Sequence, residues 1–369
     1  MAISDTSATG ERLLPPIIER PSALGWLRRN LFSSPFNSAL TIAVALLLWF
    51  TLVPLFKWAV WNATIAGTSK EACEVGGACW VVVKVRFGQY LYGLYPEDQR
   101  WRVDLAFVLL VLAMVPLFLH RFTHKLPYAL GLILIYPLIA WWLFYGGFLG
   151  LRMVPTALWG GLFLTLVISG VGITVSLPLG ILLALGRRSR LPAIKAISVV
   201  FIEVVRGVPL VTVLFMASVM LPLFLPPGVT VDKLMRALIA VALFASAYMA
   251  EVIRGGLQAV PKGQSEAAEA LGLSYWKTMG LIILPQALKM VIPGIVNTFI
   301  GLFKDTSLVL IIGLYDLLGI SKLIVTDPNW LGLAAESYLF AGFGFWIFCF
   351  GMSRYSQHIE RKLDRSHRS

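Results

Sequence analysis

Residues Met153 to Gly186 read MVPTALWGGLFLTLVISGVGITVSLPLGILLALG and carry no charged side chain. An α-helix rises 1.5 Å per residue and about 20 mostly apolar residues cross a bilayer. The stretch is long enough to span a membrane with residues to spare, so its start is expected to be an exposed turn or a surface helix. Further apolar windows lie on both sides of it. They are Phe36–Phe56, Leu105–Leu119, Leu126–Leu151, Gly207–Val231, Leu234–Gly256, Thr278–Phe303 and Gly332–Ser353. The expected fold class is an all-α polytopic membrane protein with about eight transmembrane helices.

Composition agrees. Of 369 residues, 58% are hydrophobic and 14% charged, with a mean hydropathy of +0.80. A soluble domain carries about 25% charged residues, so a soluble enzyme of this length is excluded. The net charge of +12 does not mark a nucleic-acid binder, because in so hydrophobic a chain basic excess belongs to cytoplasmic loops. Orientation follows from where Lys and Arg fall. The opening segment, with Arg12, Arg20, Arg28 and Arg29, reads as a cytoplasmic tail and not as a cleaved signal. His120 to Lys125, Gly186 to Arg190, Arg254 to Lys277 and the tail with Arg354, Arg361, Lys362, Arg365 and Arg368 also read as inside. Arg152, Lys233, Arg236 and Lys322 fall outside, together with the long segment Lys57 to Arg102, whose length exempts it from the charge rule. Its aromatics Trp61, Trp80, Phe87, Tyr90, Tyr92 and Tyr95 suit a small folded cap, or equally a loop lying on headgroups.

Cys73 and Cys79 share that outside segment, while Cys349 falls within the last span. The pair can form a disulfide in an oxidising compartment such as the periplasm; two free thiols are the alternative. No metal site is expected, since zinc takes four ligands and no histidine accompanies the pair. The histidines, His120, His124, His358 and His367, stand at membrane edges or in the tail. Neither a phosphate loop of the form G-x-x-x-x-G-K-[ST], nor H-E-x-x-H, nor G-x-S-x-G occurs, so no catalytic residue is assigned.

The informative loop runs from Tyr248 to Pro285: YMAEVIRGGLQAVPKGQSEAAEALGLSYWKTMGLIILP. Pro261 and Gly263 interrupt the preceding helix. Gln264 to Leu271 forms a new one, with Glu266 and Glu269 near its positive end, and Gly272 supplies the left-handed stop. Ser274 is placed to cap a further short helix carrying Tyr275, Trp276 and Lys277. Ala267, Ala270 and Leu271 share one face. A helix floating at the interface would set large apolar residues against a Lys/Arg-rich face. This one is Ala-rich and acidic, which fits docking into a protein cleft. Elsewhere Glu203 and Arg206, and again Glu251 and Arg254, repeat an E-x-x-R spacing near inner span ends. Each pair falls on one helix face, and intrahelical pairing that stabilises a cytoplasmic gate is the preferred reading. For Met216, core packing is the preferred reading.

EAAEALG followed at this distance by LP resembles the EAA motif of permease subunits of bacterial ABC importers. The fuller GLQAVPKGQSEAAEALGLS…IILPQAL resembles the polar-amino-acid branch. So do Glu203-Val204-Val205-Arg206-Gly207-Val208-Pro209 and Lys304-Asp305-Thr306-Ser307-Leu308. The resemblance covers about Thr156 to Asp364. The extension before it, with its cysteine pair and RFGQYLYGLYP (Arg86 to Pro96), resembles the M-type permease of the general L-amino-acid importer. The resemblance implies a cytoplasmic N-terminal tail over 1–35 and an extension of three spans over 36–152 with a periplasmic loop at 58–102. A type I importer core of five spans follows over 153–353 with a coupling loop at 255–277, then a basic cytoplasmic tail over 354–369.

By the same resemblance, Glu266, Ala267, Ala268, Glu269, Leu271 and Gly272 form the coupling helix that seats on a partner ATPase dimer. ATP and magnesium are bound by that partner and no cofactor by this chain. Asp305, Thr306 and Ser307, with Asn297 and Tyr248 behind them, are candidates for the path of an L-amino acid. For Asp305 the bland alternative is pairing with Lys304 or capping the half-helix Thr306 to Tyr315. A second homologous permease, giving a heterodimer in preference to a homodimer, a periplasmic amino-acid-binding protein and membrane lipid complete the implied partners; nucleic acid is not among them. The implied location is the bacterial inner membrane with both termini cytoplasmic. The main alternative is a secondary transporter driven by an ion gradient, which would show paired broken helices in related halves. A membrane-embedded enzyme would need a catalytic cluster, and a channel a filter or charged ring.

Overall fold

The computed structural model describes residues 22–119 and 122–365. The expectations for Arg12, Arg20, His120, Arg121, His367 and Arg368 lie outside the described residues. The chain divides into two compact units, each described by itself.

The first unit holds the helices α1 (Ala23–Asn30) and α2 (Pro35–Phe56). Ser22 and Ser34 cap them, their hydroxyls accepting the amides of Gly25 at 3.2 Å and Asn37 at 3.1 Å, and Pro35 sits where its missing N–H is no loss. α2 buries none of its side chains within the unit. It continues through a π-helical turn, Lys57–Trp61, to complete the candidate span Pro35–Trp61.

The second unit contains α3 (Val81–Val85), α4 (Phe87–Tyr92), α5 (Arg100–Phe118), α6 (Lys125–Tyr145), α7 (Gly161–Arg187), α8 (Pro192–Gly207), α9 (Leu210–Phe215), α10 (Lys233–Ala259), α11 (Lys262–Ala270), α12 (Tyr275–Thr278), α13 (Leu284–Met290), α14 (Ile292–Asp305), α15 (Leu317–Val325) and α16 (Ala334–Arg365). α5 and α6 form an antiparallel hairpin held by tyrosine hydroxyls. Tyr136 donates to the Ala106 carbonyl at 3.0 Å and Tyr128 to that of Ala113 at 2.8 Å. α7 and α10 run parallel. Thr156, just before α7, donates to Asp232 at the start of α10 (2.6 Å), and Arg188 at the far end donates to the Leu257 carbonyl (3.1 Å). Their close approach needs small residues: a Cβ on Gly180 would come within 2.7 Å of Met249. α10 is the central element, with 61% of its most apolar window buried.

Among the described residues, seven helices are long and apolar enough to span a membrane. An eighth span is made only if the bent pair Pro192–Gly207 and Leu210–Phe224, at 104°, counts as one. The expected unbroken span Gly207–Val231 is therefore corrected. Pro209 disfavours a helical residue before it, and Val208 is extended, with φ −110° and ψ 136°. The expected span Thr278–Phe303 is likewise broken. A π turn at Met279–Ile283 leads into α13, Val291 interrupts, and the candidate span is Ile292–Ile312. Pro285 and Pro293 each remove a helical donor. The window Leu126–Leu151 stops at Tyr145, where Gly146 turns the chain with φ +74°. α5 begins ahead of Leu105 and carries Arg102 inside the protein. The stretch before α7 holds a 3-10 turn, Thr156–Leu158, exposed at Met153, Pro155 and Ala157 as expected. Val154, Thr156 and Trp159 are instead buried, and the Trp159 ring packs on Trp141, Phe144 and Phe163.

The segment before α5 is a folded cap and not a loop on headgroups. Cys79, Val81, Val82 and Tyr90 are buried in one cluster with Leu317, Ile320 and Ile324 of α15 and with Trp330, Leu333 and Ala341. Cys73 and Cys79 are joined by a disulfide with Cα atoms 5.5 Å apart. Polar contacts then fasten the cap to the region from α15 into α16. Lys70 donates to the Leu331 carbonyl (2.5 Å), Arg86 pairs with Asp327 (2.5 Å), the Cys79 amide donates to Glu336 (3.0 Å), and Tyr90 and Ser337 share a hydrogen bond (2.5 Å). Burial pushes the Tyr90 hydroxyl up to about 12, so it stays a neutral donor and acceptor.

Candidate functional site

Pro261 starts α11, its carbonyl accepting the Gln264 amide at 3.1 Å. The helix thus begins at Lys262, ahead of the expected Gln264, and Glu266 and Glu269 lie beyond its first turn. The expected favourable contact with the helix N-terminus is corrected, because that effect fades within one turn. At the other end the Gly272 amide donates to Glu269 (2.9 Å) and the Leu273 amide to Ala268 (3.1 Å). This is a full Schellman closure, and it requires the left-handed φ of +71° that Gly272 adopts. Ser274 precedes α12 as expected, but its hydroxyl makes no capping bond.

The short helix presents two different sides. Ala268 is 1% exposed and faces its own chain, while Glu266, Ala267, Glu269, Ala270 and Leu271 are exposed, Leu271 at 78%. Gln286 of α13 donates to Gln264 at 3.2 Å, tying the knob to the helix that leads back into the bundle. Tyr275 and Trp276, with ring centroids 5.4 Å apart, extend the exposed surface. An Ala-lined face with one large apolar residue and two carboxylates at its edge is shaped for a cleft in another protein.

Behind the knob, at the same end of α7 and α10, four of the ionisable groups form one network with a fifth that sequence reading missed. Arg187, the last residue of α7, donates one Nη to Glu203 of α8 and Glu251 of α10, both at 2.8 Å. Arg254 pairs with Glu251 at 2.8 Å along the helix, and Arg206 approaches the same carboxylate at 3.7 Å while lying 5.5 Å over the Tyr248 ring. Of the two intrahelical pairs expected, Glu251–Arg254 forms and Glu203–Arg206 does not. Arg206 turns to α10 and Glu203 to α7. Glu251 is the shared acceptor, with its side chain 15% exposed. In the sequence Arg187 belongs to a run of basic residues marking orientation, and nothing in linear spacing links it to a carboxylate 64 residues away.

The path candidates are not gathered into a cluster. Thr306 is buried and its hydroxyl donates to the Phe303 carbonyl (2.8 Å), while that of Ser307 donates to Lys304 (2.9 Å). Asp305 is half-buried, makes no capping bond and forms no ion pair among the described residues. The expected half-helix from Thr306 is a 3-10 turn, Thr306–Ile312, closed by Gly313 in the left-handed region. Asn297 is exposed, Tyr248 is 38% exposed, and Met216, expected in the core, is 50% exposed. Sequence reading also missed Asp316, which is fully buried ahead of α15. Its Oδ1 accepts the Gly319 amide at 2.8 Å while Oδ2 has no hydrogen-bond partner among the described residues. Burial pushes this carboxyl up to about 6, against the pull of the backbone amides. No group of three or more His, Cys, Asp or Glu among the described residues could hold a metal ion.

The sequence profile of the family described as the binding-protein-dependent transport system inner membrane component matches residues 176–365. The inner membrane amino-acid ABC transporter permease protein YhdY of Escherichia coli K12 is 57% identical over 342 residues, covering 93% of each chain. The glutamate/glutamine/aspartate/asparagine transport system permease protein BztC of Rhodobacter capsulatus is 42% identical, over 99% of this chain and all of its own. A solved amino acid ABC transporter with histidines is similar at 32% identity and a TM-score of 0.49, covering 55% of this chain and 92% of that one. The chain, a multi-pass inner-membrane protein, belongs to the family of binding-protein-dependent transport system inner membrane components, among the permeases of amino-acid ABC transporters.

Proposed function

We propose that this chain is the membrane subunit of an importer that moves L-amino acids from the periplasm to the cytoplasm by alternating access. The observation that carries the reading is α11 itself. Its Schellman closure and its tie to α13 hold it in shape, while Ala267, Ala270 and Leu271 lie exposed. An ATPase dimer, which binds ATP and magnesium, receives that face in a groove. When the ATPases close, the knob moves with α13 and, through α10, with the ion-pair network at the inner end of α7 and α8. The network has a carboxylate shared among three helices, so exchange of its partners is one differential contact through which the docked ATPases shift the balance of states. Asp305, Thr306, Ser307, Asn297 and Tyr248 belong to the substrate path in this reading; the hydroxyls of Thr306 and Ser307, bound to the Phe303 and Lys304 carbonyls, must let go of them to meet a substrate. A second homologous permease completes the pore, as the M-type resemblance implies, and a periplasmic binding protein delivers the substrate. The oxidising environment suited to the Cys73–Cys79 bridge agrees with the cap facing the periplasm and both termini facing the cytoplasm.

The test is co-purification from native membrane, followed by ATP hydrolysis in nanodiscs with and without Glu266→Lys and Gly272→Trp. Recovery of an ATPase and a second permease, lost or uncoupled in both variants, is the expected result. A chain that purifies alone and carries amino acids without ATP would overturn the reading in favour of an ion-driven transporter.

A further inference from the structure

At the end of α7 and α10 away from the knob, a cavity of about 450 Å³ opens between α4 and the start of α5. Arg86, Gln89, Gly93, Tyr95, Glu97 and Arg100 line it. The Arg100 guanidinium lies 5.3 Å over the Tyr92 ring and against Gly88, where an added Cβ would come within 2.7 Å of Nη1. Among the described residues its one ion pair is with Glu97, at 3.1 Å, whose side chain is 85% exposed, while Asp104 accepts the Tyr92 hydroxyl at 2.6 Å. Arg86 is held by Asp327. The Nε groups of both arginines are buried with no hydrogen-bond partner among the described residues. Each guanidinium carries five donors, so each has donors beyond those its one carboxylate takes up.

The depth of the cavity says what fills it. The candidate span that includes α5 begins at Glu97, so the cavity lies at the end of a membrane-crossing helix. Trp101 is half exposed there. On the antiparallel α6, Trp141 and Tyr145 stack with centroids 5.3 Å apart, at the same level, because the Tyr95 hydroxyl donates to the Phe144 carbonyl at 2.8 Å. Tryptophan and tyrosine gather at the membrane–water interface. Val85 and Leu94, which also line it, and Phe87 beside them are exposed. A free anion has no use for that apolar rim, whereas a lipid lays its acyl chains along it.

We propose that this cavity binds the phosphodiester headgroup of an anionic membrane lipid, with Arg100 as the principal donor and Gln89 as a second. Arginine matches phosphate oxygens with two parallel N–H bonds. Glu97 holds the guanidinium until the lipid displaces it, since an exposed pair contributes little. The site lies in the extension, ahead of the residues that match the family profile, and it does not depend on the import reading.

The test uses the full chain in nanodiscs of mixed phosphatidylglycerol and phosphatidylcholine, with retained lipid read by native mass spectrometry. Phosphatidylglycerol is expected to be retained preferentially, and Arg100→Gln to lower that preference about tenfold, the loss of one charge-assisted contact. Gly88→Ala keeps every charge but crowds the guanidinium, so it should lower the preference too; it also carries the test if Arg100→Gln fails to fold. Inorganic phosphate is added as a competitor and should leave the preference unchanged. Equal retention in the parent and the folded variants overturns the site, and displacement by inorganic phosphate overturns the lipid as its source.

Discussion

Glu251 is the residue whose loss should do most damage for least change in shape. Glu251→Gln keeps the volume but removes the charge that Arg187 and Arg254 meet at 2.8 Å and Arg206 at 3.7 Å. Three guanidiniums are then left with Glu203, whose side chain is 54% exposed. Breaking a fully buried pair by removing one partner costs about 3–5 kcal/mol, and an exposed pair contributes about 0.2–1 kcal/mol. With the Glu251 side chain 15% exposed and those of the arginines 25–35%, the loss should fall between, at about 2 kcal/mol. Glu203→Gln should cost about 0.5 kcal/mol. Thermal unfolding in detergent, read as a double-mutant cycle over Arg187 and Glu251, measures the coupling directly. A coupling of about 1 kcal/mol or more is expected, outside the 0.3–0.5 kcal/mol scatter of independent sites. High salt should weaken Glu203–Arg187 more than the shielded contacts of Glu251. If Arg187 and Glu251 prove additive, or if Glu203→Gln costs as much as Glu251→Gln, the network is no shared-carboxylate clasp and the reasoning fails.

Other outcomes can be checked alongside. Leu271→Asp, at a position exposed on the free chain, should change stability by less than about 0.5 kcal/mol yet abolish recovery of the ATPase on co-purification; retained recovery would place the docking surface elsewhere. Asp316 is charged less readily when folded, so its burial costs stability that appears as pH rises through the window from its ordinary value to about 6 and persists above it. The protein should therefore gain up to about 3 kcal/mol on acidification through that window. Asp316→Asn should flatten this contribution in a melting series across pH, and an unchanged slope would refute it. Replacing Cys73 and Cys79 by serine should weaken the cap by about 2 kcal/mol, seen as faster proteolysis between residues 64 and 102 while the α7–α10 pair stays protected.

Much of this protein is legible in one dimension because a bilayer imposes a one-dimensional test. A helix must be apolar over a fixed length, and α2, α6, α7 and α10 each overlap a window visible by eye, running past it only by a residue or a few at an end. Where the chain departs from those windows, proline or burial is responsible. Val208-Pro209 turns an expected straight span into a 104° bend, and Pro285 and Pro293 shift the register of the span that follows the knob. The stretch at Val154 to Gly160 is an exposed turn only on one side, since hydropathy records how apolar a residue is and not whether another ring lies over it, as rings do over Trp159. The knob was read almost whole, since a helix stop needs only local chemistry: Gly272 can adopt a left-handed φ and the residues before it favour helix.

The partners of the charged residues belong to the other kind of fact. The spacing of Glu203 from Arg206 repeats that of Glu251 from Arg254, yet only the second pair forms. Helix periodicity says which groups can meet on one face, but α7, packed beside both helices, brings Arg187 into reach and redistributes the contacts. The cap was undecidable for the same reason, because Tyr90, Arg86 and Cys79 meet residues about 240 to 260 positions away. What the sequence determined alone was the membrane as solvent, the number of crossings to within one bend, and the surface knob. These depend on hydropathy and local backbone preference, whose range is a helical turn or a helix length. Only the tertiary structure decided which carboxylate is shared, which face of the cap is buried and where an arginine is left with spare donors, because each depends on which helix ends are brought together by packing.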